Sequence, residues 1–243
     1  MLLKRKAIGR APSSWNELTE KQFIAISRII NGERPDYKFL CVLTGIKKDL
    51  LKKLSHYELL KLSEEINFIS RAGSSHSDFI ISDIPGAGDR LRSPAAKLAS
   101  VTFGQFIFMD AYYSDYSKTR EEMALNKFIA CLYLQENQKF SNELIQHRSE
   151  VVSRIDIHIR RAIAFNYSLI ILWLQKAYPL VFSGTTGEDH SEEKEKPLTN
   201  SPWINIFESM VGEDLINRDR YADLPIHTVL RTLTRKYKEN ARK

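Results

Sequence analysis

The chain has 243 residues, 43% of them hydrophobic and 27% charged, a balance that suits a globular protein and excludes collagen-like and disordered classes. Lys and Arg outnumber Asp and Glu by 36 to 30, giving a mildly basic net charge of +6. A chain of this length buries about 70% of its unfolded surface, enough for a sizeable core.

The opening segment MLLKRKAIGRAPSS has no apolar run behind Lys4, Arg5 and Lys6 and does not read as a secretory signal. Thr19 and Gln22 are spaced as a capping box, in which each side chain satisfies a free amide of the other. Phe23, Ile26, Ile29 and Ile30 then recur at helical spacing until Asn31-Gly32. A second helix begins near Pro35, carries Phe39, Leu40, Val42 and Leu43, and stops at Gly45. Ser55 and Glu58 repeat the capping-box spacing, opening a helix expected to turn Tyr57, Leu60, Ile66 and Ile69 inward. Residues 71–101 break the pattern. Phe79 to Ile84 is β-prone, Pro85 to Gly88 is turn chemistry, and Asp89 to Ser93 returns, so a small β-hairpin is expected near 78–93.

Helix resumes at Thr102 and Gln105, a third capping-box spacing, leading into Phe103, Phe106, Ile107 and Asp110. Glu121 to Leu134 is acidic at its start and apolar on the face of Met123, Phe128, Ile129 and Leu132. A long helix from about Ile157 to Tyr178 is apolar nearly all round, the signature of a central core helix. Its most apolar stretch, Ala162 to Leu174, falls short of the roughly 20 residues of a membrane span. Residues 183–202 hold no aromatic and a single leucine, so a flexible acidic linker is expected there. Ser201 and Pro202 supply an N-cap and an N1 proline. Trp203, Ile206, Phe207, Met210 and Val211 follow at helical spacing, Gly212 stops that helix, and another runs from about Pro225. The reading is mainly α: an N-terminal helical domain (1–182) with an inserted hairpin, a linker (183–202) and a C-terminal helical unit (203–243).

No catalytic constellation emerges. Cys41 and Cys131 suit neither a disulfide scaffold nor a zinc site, and indicate a reducing, cytoplasmic setting. The six histidines include no i, i+4 pair. Gly86-Ala87-Gly88 lacks the third glycine and βαβ frame of a dinucleotide loop. The acids from Glu188 to Glu195 read as solvated charge, and the Asn166-Tyr167-Ser168 sequon lies in the most apolar helix. Neither enzyme activity, cofactor nor metal is expected. Two surfaces remain. The C-terminal unit carries more large apolar side chains than a stretch of about 40 residues hides by itself, making Trp203, Phe207, Met210, Val229, Leu233 and Tyr237 candidates for holding a partner helix. The basic cluster Arg231, Arg235, Lys236 and Lys238 is a candidate nucleic-acid footprint.

Two stretches carry a family resemblance. SWNELTEKQ, followed by LTGIKKDLLKKLSHYELLKLSEEINFI, and later KLASVTFGQFIFMDAYY together resemble the helical tail assembly chaperones of Bacteroidetes phages and prophages, over roughly residues 14–135. The resemblance implies a non-enzymatic protein that binds a tape-measure or other tail protein during assembly, in the bacterial cytoplasm or carried into the virion. Nucleic-acid binding through the basic helix is the alternative expectation.

Overall fold

The computed structural model describes residues 11–70, 76–86, 88–182 and 202–241, and within them the chain is mainly α, with twelve α-helices and one small antiparallel sheet. The chain divides into two units, each made of two stretches. The first is Met1–His76 with Ile157–Leu172, the second Ser77–Asp156 with Trp173–Lys243.

In the first unit, α1 (Glu20–Ile30) starts with the expected box. Thr19 Oγ1 accepts from the Gln22 amide at 3.4 Å, and Gln22 Oε1 accepts from the Thr19 amide at 2.9 Å. The helix α2 (Tyr37–Thr44) is capped by Asp36, which accepts from the Phe39 amide at 2.8 Å, and ends at Gly45 in the left-handed region (φ 69°). A short α3 (Lys48–Leu51) leads to α4 (His56–Glu65), opened by the Ser55–Glu58 box. The last helix here is α8 (Ile157–Ala177), which belongs to this unit through Leu172. It supplies Phe165, stacked on Phe23 at 5.5 Å and edge-on to Trp15 at 5.7 Å, while Trp15 meets Phe68 at 5.2 Å. A satellite core of Ile46, Leu51 and Leu62 draws in Ala11, Leu40, Cys41 and Leu54. One expectation is corrected. Tyr57 (65% exposed) and Leu60 (49%) face outward, because the α4 face that meets the satellite core is the one carrying Leu62.

The second unit opens on the sheet. β1 (Asp83–Ile84) pairs antiparallel with β2 (Leu91–Arg92), in the register Ile84 opposite Leu91. The expected hairpin is there, and it gains a third strand, β3 (Leu134–Gln135), opposite Arg92 and Leu91. At the turn, a side chain on Gly86 would overlap the Asp89 carbonyl, which fixes glycine at that position. Helix α5 (Phe103–Thr119) packs along α6 (Glu122–Leu132), which packs in turn on α7 (Ile145–Val152). Thr102 caps α5 through the Gln105 amide at 3.2 Å, but the reciprocal half of the box is missing. Gln105 instead donates from Nε2 to the Cys131 carbonyl at 2.8 Å, a tertiary bond that outweighs the local one. Met123, expected on the apolar face of α6, is 62% exposed.

Four further helices complete this unit: α9 (Pro179–Phe182), α10 (Pro202–Val211), α11 (Arg218–Ala222) and α12 (Ile226–Asn240). The proposed linker lies outside the described residues apart from Pro202. The helices after it group with residues 77–156. Helix α8 is long and apolar enough to cross a membrane by length and composition, and half of its apolar window is buried in the protein.

Candidate functional site

The C-terminal aromatic residues converge on the start of α5. Trp203 stands edge-on to Phe106 at 5.1 Å and to Phe182 at 5.5 Å, and Phe207 meets Phe103 at 5.9 Å. Backbone bonds secure the join: the Phe103 amide donates to the Leu224 carbonyl at 2.8 Å, and the Ile226 amide to the Val101 carbonyl at 3.0 Å. Gly104 permits the close approach, since a Cβ there would come within 3.1 Å of the Ala222 methyl. His227 ties in two more segments, bonding through Nδ1 to the Tyr178 hydroxyl at 2.8 Å and through Nε2 to the Lys97 carbonyl at 2.7 Å.

This packing decides where the six candidate partner residues stand. Trp203, Phe207, Val229 and Leu233 are buried within the unit, Met210 is half-buried, and Tyr237 is exposed at 42%. Four of the six candidates are covered by the chain's own α5 and its neighbours, which leaves Tyr237 as the outward member of the set, while Leu215 and Ile216, between α10 and α11, are exposed as well. The basic candidates differ. Arg231, Arg235, Lys236 and Lys238 are all exposed along α12, and Arg235 meets Glu239 only at 3.9 Å.

One titratable group sits inside the aromatic join. Asp110, on α5, accepts a hydrogen bond from Trp203, yet burial pushes its carboxyl up from 3.8 to about 6. Desolvation therefore outweighs the indole bond, as expected when a single neutral donor replaces water around a carboxylate. Nothing in the local sequence marks this residue, because its surroundings come from a segment nearly a hundred residues away.

Each unit has an open groove. In the second, a groove of about 1010 Å³ runs past Ile107, Phe108, Phe140, Ile204 and Phe207, with Arg218 on its wall. In the first, a groove of about 910 Å³ lies among α1, α2 and α4, lined by Ile29, Tyr37, Phe39, Leu40, Leu59 and Ile69. Among the described residues, the charged side chains lining it are the carboxylates Asp36 and Glu64. The same unit exposes six large apolar side chains within thirty-one residues: Ile30, Tyr37, Val42, Leu50, Tyr57 and Leu60.

For the other sequence candidates the structure is plain. Among the described residues no three His, Cys, Asp or Glu side chains converge as a metal site. Asn166 is buried at 1% exposure, and the acids from Glu188 to Glu195 lie outside the described residues. His158 faces Glu33 at 3.3 Å, and burial pushes the Cys131 thiol up to about 12, so that it stays protonated. Comparison with protein-family models, with curated proteins and with solved structures finds no match to this chain.

Proposed function

We propose that this chain is a non-enzymatic, phage- or prophage-encoded assembly protein, akin in role to a tail assembly chaperone, that binds a helical stretch of a tape-measure or other tail protein. The observation that carries the reading is the apolar surface of the first unit, where six large side chains stand exposed and one of them, Tyr37, lines an open groove. Monomeric proteins rarely leave such clusters uncovered without a binding role. The groove suits one occupant: an amphipathic helix whose apolar stripe fills it and whose basic flank meets Asp36 and Glu64. The sequence resemblance, over roughly residues 14–135, takes in α1 to α4 of this unit and supports the same role. On this reading the chain works in the bacterial cytoplasm, without cofactor or metal, and any virion-bound fraction follows its partner.

The test is co-expression of the full chain with phage tail proteins from its native host, followed by affinity capture. Wild type retains a tail component, and Tyr37→Glu and Leu60→Glu, both at exposed positions, lose it with unchanged melting temperature. Retention of every partner by both variants refutes the assignment to this surface. Failure of the wild type to retain any tail protein refutes the role.

A second reading rests on the four exposed cations of α12, which suit contact with nucleic-acid phosphates. It requires DNA or RNA binding that weakens with salt and that charge removal at Arg231, Arg235, Lys236 and Lys238 abolishes. Unchanged binding after their removal excludes it.

A further inference from the structure

Arg148, on α7, is only 5% exposed, an unusual place for a group that stays charged at every physiological pH. Its Nη1 donates to the Ala130 carbonyl at 2.7 Å and its Nη2 to the Ser141 carbonyl at 3.2 Å. Those two bonds use two of five N–H groups, and Nε is buried with no hydrogen-bond partner. Burial pushes the guanidinium pKa down, and the one titratable group whose charge bears on it is Cys131, whose thiol stays protonated. Among the described residues Arg148 therefore has no carboxylate to balance it. The carbonyl end of α6 offsets part of the charge, since a helix C-terminus carries roughly half an elementary charge. The remainder is uncompensated, and an unpaired buried charge is strongly disfavoured.

A cavity of about 230 Å³ adjoins this arginine, lined also by Gln135, Gln138, His147, Leu91 and Leu144. That is room for about seven waters at roughly 30 Å³ each, ample for one tetrahedral anion. Its chemistry suits such a ligand: a guanidinium that no carboxylate balances, two side-chain amides and an imidazole, and no acidic side chain in the lining. A planar fork held by two carbonyls keeps its remaining N–H groups fixed in direction, the arrangement arginine uses to recognise oxyanions. We propose that this cavity is a binding site for a phosphate- or sulfate-sized oxyanion, with Arg148 as its charged anchor and Gln135, Gln138 and His147 as the surrounding donors. The anion supplies the counter-charge that the fold leaves out, and ties α7 to the edge of the sheet through β3. This site is independent of the proposed partner surface, which lies in the other unit.

The test titrates inorganic phosphate, sulfate, acetate and chloride into the full chain at matched ionic strength, following melting temperature and binding heat. Phosphate and sulfate are expected to raise the melting temperature with saturation, while chloride and acetate leave it within a degree. Arg148→Lys keeps a charge but loses the fork, and weakens phosphate binding at least tenfold. His147→Glu, at an exposed position that tolerates the change, sets a carboxylate at the cavity and abolishes the phosphate response; it keeps the test decisive should Arg148→Lys fail to fold. Equal shifts from phosphate and chloride, a response to acetate alone, or a phosphate response undiminished in His147→Glu would overturn the proposal.

Discussion

Replacing Asp110 with Asn removes a carboxylate that the folded protein ionises reluctantly, and the change should stabilise the protein at neutral pH. In the native state the carboxyl titrates near 6, against an ordinary value of 3.8, because burial beside the Trp203 ring strips water from the charged form faster than the indole N–H repays it. The folded state thus binds this proton more tightly than the unfolded chain does. Its contribution to stability is fully present below about pH 3.8 and is lost as pH rises through 6. A gap of about two pKa units at 1.36 kcal/mol per unit sets the loss at about 3 kcal/mol by pH 7.5. Asn is nearly isosteric, carries no charge and keeps an acceptor for the indole. Urea unfolding followed by tryptophan fluorescence, from pH 4 to pH 8, measures the difference directly. The variant should match wild type near pH 4 and exceed it by 1–3 kcal/mol at pH 7.5, an order-of-magnitude range. A variant less stable than wild type at pH 7.5, or a difference that does not change between pH 4 and 7.5, would show that the ionised carboxylate is well accommodated.

Three further substitutions probe the packing described above. Trp203→Ala empties the space between Phe106, Phe103 and Phe182 and should lower unfolding free energy by about 3–5 kcal/mol, read from denaturant midpoints. Tyr133→Phe leaves the buried Ile81 carbonyl without its phenolic donor, a loss of about 1–3 kcal/mol, with hydrogen exchange accelerated first in the sheet. Ser55→Ala removes one half of the α4 capping box and should cost about 1 kcal/mol, measured by thermal melting, with the second unit unaffected.

What the sequence disclosed follows the range of the forces involved. The Thr19–Gln22 and Ser55–Glu58 boxes, the stop at Gly45 and the turn at Gly86 were all legible, since each is settled among residues three or four apart. The Thr102–Gln105 pair shows where that logic ends: the cap forms, but Gln105 answers to a carbonyl twenty-six residues away. Strand β3 was hidden in the tail of a good helical pattern, because two residues pairing across more than forty positions leave no periodic trace. Periodicity marked Tyr57 and Leu60 as apolar without telling whether anything covers them. The surplus of large apolar groups after Trp203 was legible as a surplus. Its destination on α5 was not, and neither Asp110 nor Arg148 carries any local signal, since their unusual environments arise only when distant segments meet.

The interleaving of the two units has a consequence for the birth of the chain on the ribosome. Trp15, Phe23 and Phe68 emerge early, yet the ring that closes their cluster, Phe165, is translated about a hundred residues later. At 5–20 residues per second that is an interval of roughly 5–20 s in which the first aromatic layer stands open. The second unit waits in turn for Trp203 and for α12 to cover Phe103 and Phe106. Neither half completes its aromatic layer until a late segment is translated, so the nascent protein passes through a stretch of synthesis with those rings uncovered.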